Sequence, residues 1–364
     1  MPKGNTGAIR VVVVDDSASA RELLVALLHS AEGIQVVGVA KDGEEAIRLV
    51  QRLRPDVITM DIVMPKMDGL EATSHIMRQV PTPIVVVTSS LLRADVDLTF
   101  EALKAGALTV LRKPGLNDPE TCERVVQAVR LMSEVPVVHH WGRKERAQDQ
   151  APVQTDESVP PSTLQQQREH KVQIIGVASS TGGPAALAAV LRPLPADFPV
   201  PIVGVQHITR GFAGGLADWL SGETSLRVGI AGHGDVPRPG TFLLAPDDYH
   251  MQINAWGIIE LNKEAPYKGL RPSANHLFRS LAQNYGPRAV GVILTGMGDD
   301  GADGIQALHD AGGLTLAQNE QSCVVYGMPR EAVLRNAVDL VLAPGEMASL
   351  IGKLQRGTSK QGEA

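Results

Sequence analysis

The chain has 364 residues and a formal net charge of -6, with 43% hydrophobic and only 3% aromatic residues. The length accommodates two ordinary domains, and the composition calls for cores of Val, Leu, Ile and Ala, which suit parallel sheets buried on both faces. The acidic balance argues against nucleic acid as a partner, the lone Cys122 and Cys323 against a disulfide framework or zinc site, and the lack of a long apolar run against a signal peptide or direct membrane insertion, so a reducing cytoplasm is expected.

Residues 9–133 alternate short apolar runs with segments of helical spacing. IRVVVVDD, IQVVGVA, DVITMDI, PIVVVTSS and LTVLRKP read as strands, and residues 17–30 and 44–54 as helices. The alternation implies right-handed βαβ units in a small doubly wound domain. Such sheets bind ligands at the carboxyl ends of their strands, and the unusual polar residues fall there. Asp15 and Asp16 close the first run, Asp61 the third, Thr88 the fourth and Lys113 the fifth. Three converging carboxylates repel one another unless a cation joins them, and an oxygen-only set favours Mg2+. Mg2+ and Lys113 would neutralise an incoming phosphoryl group, Asp61 would form an acyl phosphate, and the Thr88 hydroxyl would bond the product. Ordinary polar strand ends account for one such residue more easily than for five.

These residues lie in VVDDS (13–17), DVITMDIVMPKMDGLEA (56–72), TSS (88–90) and KPG (113–115), and the text closely resembles the receiver domains of response regulators. Many receivers carry a switching aromatic residue on the fifth strand. Val110 stands at the matching position here.

From Glu134 to about His170 the text turns rich in Gln, Pro, Ser and charge and loses all period, so residues 134–170 read as a linker. His139 and His140 within it read as solvated, since no further ligand stands at zinc spacing. Order resumes over 171–357. VQIIGVA, PIVGVQH, LRVGIAG, TFLLAP, AVGVILTG, LTLAQN and VDLVLA are further strands, most separated by helical segments, and HMQIN with IIEL looks like an inserted hairpin. The expectation is a second α/β domain, Rossmann-like and mainly parallel, with an antiparallel edge.

VQIIGVA runs into Ser179-Ser180-Thr181-Gly182-Gly183-Pro184 and then a helix. A serine at such a turn stands clear of the sheet, close to amides that can hold a developing oxyanion. A Gly-rich turn can equally cradle a phosphate. A nucleophilic serine needs a base and an orienting acid. PIVGVQH ends in His207 at the same carboxyl edge, with His233 and His250 as alternative bases, and Asp299 and Asp300 follow AVGVILTGMG. The G-x-S-x-G elbow fails, because Ala178 stands two residues before Ser180.

ASSTGGP, VQHITRGF, FLLAPDDYHM, RPSANHLF, AVGVILTGMGDDGADGI and LAQNEQSCVVYGMPREA resemble the catalytic domain of the chemotaxis protein-glutamate methylesterases over about 172–343. The resemblance implies Ser180 as nucleophile, His207 as base, Asp300 as orienting acid, and backbone amides near Thr181 and Met297 for the oxyanion. No esterase cofactor is implied. It also implies a phosphorylation-controlled serine esterase that removes methyl groups from chemoreceptor glutamate esters and deamidates receptor glutamines. Its partners would be the cytoplasmic helices of chemoreceptors and the histidine kinase of a signalling array. Two departures stand out. Asp299 occupies a place where Asn is expected, and Asn275 a place where Asp is expected. A phosphorylation-dependent adaptor and a transcription factor are the competing readings. The intact Ser180, His207 and Asp300 set argues against the first. The lack of a basic helix-turn-helix pattern argues against the second.

Overall fold

The computed structural model describes residues 7–89, 93–115, 118–135 and 171–356. The chain divides into two compact units, with the boundary at residue 153. The expected linker lies outside the described residues from 136 onward, as do His139 and His140.

The first unit runs β1 (Ile9–Val14), α1 (Ala18–Ser30), β2 (Ile34–Ala40), α2 (Gly43–Leu53), β3 (Val57–Met60), α3 (Gly69–Gln79), β4 (Ile84–Thr88), α4 (Arg93–Lys104), β5 (Thr109–Arg112) and α5 (Pro119–Ser133). The strands form one parallel sheet in the order β2-β1-β3-β4-β5. The unbroken valines of β1 are buried on both faces, as a central parallel strand requires. Helix starts follow side-chain caps: Ser17 accepts from the Ala20 N–H, Asp42 from Glu45, Asp68 from Glu71 and Asp118 from Thr121. The strand order reverses between β1 and β3, so the residues following these strands share one crevice.

The second unit contains β6 (Ile174–Ser179), α6 (Gly183–Leu191), β7 (Ile202–Gln206), α7 (Ala213–Glu223), β8 (Arg227–Ile230), β9 (Thr241–Leu244), β10 (His250–Ile253), β11 (Ile259–Asn262), α8 (Ala274–Asn284), β12 (Ala289–Ile293), α9 (Ala302–Asp310), β13 (Leu314–Gln318), α10 (Met328–Leu334), β14 (Leu340–Leu342) and α11 (Pro344–Arg356). Seven strands make a parallel sheet, ordered β14-β13-β12-β6-β7-β9-β8. The reversal falls at β6, which has β12 on one side and β7 on the other. Ser180, His207 and the segment after β12 therefore leave the sheet together.

The hairpin departs from expectation. β10 and β11 form a separate two-stranded antiparallel sheet and not an edge of the large one. Met251, Ile253 and Ile259 bury their side chains in the same core cluster as Ala274, Leu277, Phe278 and Leu281 of α8. The free edge of β10 is also occupied: the Ile253 N–H donates to Ser280 Oγ at 3.0 Å, and Asn284 Nδ2 donates to the Ile253 carbonyl at 2.9 Å. A strand capped by a helix in this way cannot pair with the main sheet.

Candidate functional site

In the first unit, Asp15, Asp61 and Lys113 follow β1, β3 and β5 directly. Lys113 Nζ lies 2.6 Å from Asp61 Oδ2 and 2.8 Å from Asp15 Oδ2. The other oxygens are held locally, Asp15 Oδ1 by the Ser17 N–H and Asp61 Oδ1 by the Ile62 N–H. Burial, with the Asp15 charge behind it, holds the Asp61 carboxyl above the usual range in spite of Lys113. Asp15, Asp16 and Asp61 each bring one carboxylate oxygen within 4.8 Å of the others. An all-oxygen set with two buried members and an exposed Asp16 suits a hard divalent cation open to solvent on one side. Thr88 is buried at the end of β4, beside these strand ends. Val110 is buried within β5.

In the second unit, Ser179 and Gln206 are register partners on β6 and β7, so Ser180 and His207 leave neighbouring strands side by side. Ser180 is fixed through its main chain. Its N–H donates to the Thr295 carbonyl at 3.0 Å, and its carbonyl accepts from Gln206 Nε2 at 2.8 Å. The turn needs glycine at 182, where φ is 77° and an added Cβ would lie 2.5 Å from Val324. His207 Nε2 is 2.8 Å from Asp300 Oδ2, leaving Nδ1 as the ring nitrogen for Ser180. Among the described residues neither the Ser180 hydroxyl nor His207 Nδ1 makes a hydrogen bond. Catalytic contacts often tighten only when substrate binds. The main-chain N–H groups of Thr181 and Met297 are likewise unspent among the described residues.

Asp300 is fully buried and receives donors on both oxygens. Oδ2 accepts from His207 and from the Ala274 N–H at 2.7 Å. Oδ1 accepts from Ser273 Oγ at 2.6 Å and from Asn275 Nδ2 at 2.9 Å. Burial alone would raise this carboxyl, but the bond and charge of His207, then Ser273 and Ala274, hold it below the ordinary range. Both departures noted in the sequence find partners. Asn275 bridges Asp300 to the Gly304 N–H through its two ends. Asp299 turns to Lys268 at 2.5 Å, with Arg335 at 3.9 Å, and not to Asp300. The alternative histidines serve elsewhere: His233 Nδ1 accepts from the Leu261 N–H, and buried His250 accepts from the Ser273 N–H.

Residues 11–126 match the family described as Response regulator receiver domain, and residues 175–351 that described as CheB methylesterase. Protein-glutamate methylesterase/protein-glutamine glutaminase 1 of Syntrophus aciditrophicus is 45% identical over 349 residues, covering 95% of this chain and 98% of that one. The chain belongs to the protein-glutamate methylesterase/protein-glutamine glutaminase family. Enzyme 4 of that name from Myxococcus xanthus is 47% identical over 354 residues, 96% of this chain and 98% of that one. The crystal structure of the Thermotoga maritima CheB methylesterase catalytic domain matches at 34% identity and a TM-score of 0.49, covering 50% of this chain and 99% of that one.

Gln206, Ser273, Asn275 and Thr295 hold this site, and of these only Asn275 stands out in the sequence, as a departure from the family text. A glutamine closing an otherwise apolar strand, directly before the candidate base, was the available signal for the first.

Proposed function

We propose that this chain hydrolyses glutamate methyl esters on the cytoplasmic helices of chemoreceptors, with Ser180 as nucleophile. The observation that carries the reading is the His207–Asp300 bond beside the turn that presents Ser180. His207 Nδ1 takes the hydroxyl proton as Ser180 Oγ attacks the ester carbonyl. The Thr181 and Met297 amides receive the oxyanion, helped by the N-terminus of α6. The tetrahedral adduct collapses to a glutamyl-serine ester as the methoxy group leaves, taking the proton from His207 as methanol. Water, deprotonated by His207, then attacks the same carbonyl and returns Ser180 with a free glutamate. With receptor glutamine the first leaving group is ammonia and the remaining steps are the same.

The receiver supplies the control. Asp61 accepts a phosphoryl group from the histidine kinase of a signalling array, Lys113 offsets its charge, and Thr88 bonds it. Asp15, Asp16 and Asp61 would hold Mg2+, which when bound neutralises phosphoryl oxygens. The setting is cytoplasmic, where kinase and receptor tails meet; among the described residues no helix is long and apolar enough to cross a membrane.

Methanol release from methyl-labelled receptor membranes, with and without a small phosphoryl donor, tests the reading. Ser180→Ala and His207→Ala should each lower kcat by about 10^6-fold and Asp300→Ala by about 10^4-fold, while Ser179→Ala keeps much of its activity. A Ser180→Ala chain working at the wild-type rate overturns the assignment.

A further inference from the structure

Gln206 is only 6% exposed, yet its carboxamide is fully occupied. Oε1 accepts from Ser179 Oγ at 2.6 Å, and Nε2 donates to the carbonyls of Ser180 and His207 at 2.8 Å each. A flipped amide would set its oxygen against both carbonyl oxygens, so the network fixes its orientation. Gly183 leaves the room: a Cβ there would lie 2.0 Å from Oε1. The two residues whose mutual geometry decides proton transfer are 27 positions apart in sequence, and one buried side chain ties their main chains together.

Resting on the reading of Ser180 and His207 as nucleophile and base, we propose that Gln206 is the positioning residue that sets the distance between them. No other side chain bonds to both main chains among the described residues. An amide is required, because the site asks one group for one acceptor and two donors. Gln206 touches neither the ester nor the oxyanion donors in this scheme, so it acts on the chemical step and not on receptor binding.

The test uses the full-length chain, phosphorylated, on methyl-labelled receptor membranes. Gln206→Met keeps the length and removes the bonds, and kcat should fall about 10- to 100-fold with KM within about threefold. Gln206→Glu keeps the shape. Its introduced carboxyl is buried against two carbonyls and so titrates high. Protonated, it still donates one bond; ionised, it repels both carbonyls. Its kcat relative to wild type should therefore fall as pH rises from about 6 to 9, a limb that the ratio isolates because His207 and Asp300 are common to both chains. Wild-type kcat in a folded Gln206→Met chain overturns the proposal, as does a pH-independent ratio for Gln206→Glu. Ser180→Ala separates the two levels. If it is inactive while Gln206→Met is unimpaired, only the positioning role fails. If Ser180→Ala is itself active, the nucleophile assignment fails and this inference with it.

Discussion

Every partner of the Asp300 carboxylate is a donor: His207, Ser273, Ala274 and Asn275. The site is therefore built for an ion, and a neutral isostere does not fit it. Asp300→Asn would turn an amide N–H₂ toward one of these donors and strand His207. The loss should reach about 3–5 kcal/mol, as for a buried pair with one partner removed. Denaturant melts of the catalytic unit check this, and a change below about 1 kcal/mol would mean that the donors relax freely. The pH sense follows from the lowered carboxyl. Its stabilisation is complete above the ordinary carboxylate value and is lost as pH falls through the depressed folded value. Cys323 offers the opposite case, a group kept chemically silent. Burial pushes its thiol up to about 12, so it stays protonated at neutral pH. Thiol alkylation at Cys323 should be slow until the unit unfolds.

At the scale of elements, both sites are made by strand ends converging at a reversal of strand order. This is why so much was legible. Apolar runs closing in Asp15, Asp61, Lys113 and His207 could be read directly, because a parallel strand is continuous in sequence and its ligand end is its last residue. Asp300 is less legible. Six residues separate it from Ile293, the end of β12, and only family resemblance chooses it over Asp299. The hairpin itself is legible, but its place apart from the main sheet is not, because what closes its edge, Ser280 and Asn284, lies on α8, more than 25 residues along the chain. The strand ends also cost stability. Burial holds Asp61 high, so the folded unit keeps a proton that the unfolded chain releases. The native state loses ground as pH rises through the window between the ordinary and the raised value, and the loss persists above it. Asp61→Asn should therefore raise the melting temperature of the receiver unit at pH 7 in Mg2+-free buffer. The gain should shrink as pH falls below the usual carboxylate range. A lower melting temperature at pH 7 would show that the Lys113 pair outweighs the burial cost.

At the scale of the whole molecule, the residues proposed for the ester chemistry lie in one compact unit and the proposed phosphoryl acceptor, Asp61, in the other. Control then has to be a coupling free energy between two sites, and such couplings run to about 1–3 kcal/mol, or about 5- to 150-fold. A phosphoryl donor should raise methanol release by the full-length chain within that range. Asp61→Asn should stay at the basal rate with the donor present, because the acceptor is gone while the Ser180, His207 and Asp300 geometry is untouched. Excess chelator should do the same if the three carboxylates need a cation to take phosphate. Val110 is buried in β5 and has no ring to swing, so the rise should lie toward the lower end. A fragment beginning near residue 171 retains the seven-stranded sheet with β10–β11 and α8, hence every residue assigned to the ester chemistry. It should hydrolyse receptor esters and ignore the donor. A fragment that still responded to the donor would place the effect in the catalytic unit itself. A full-length chain indifferent to the donor would mean that phosphorylation acts on delivery to the receptor and not on catalysis.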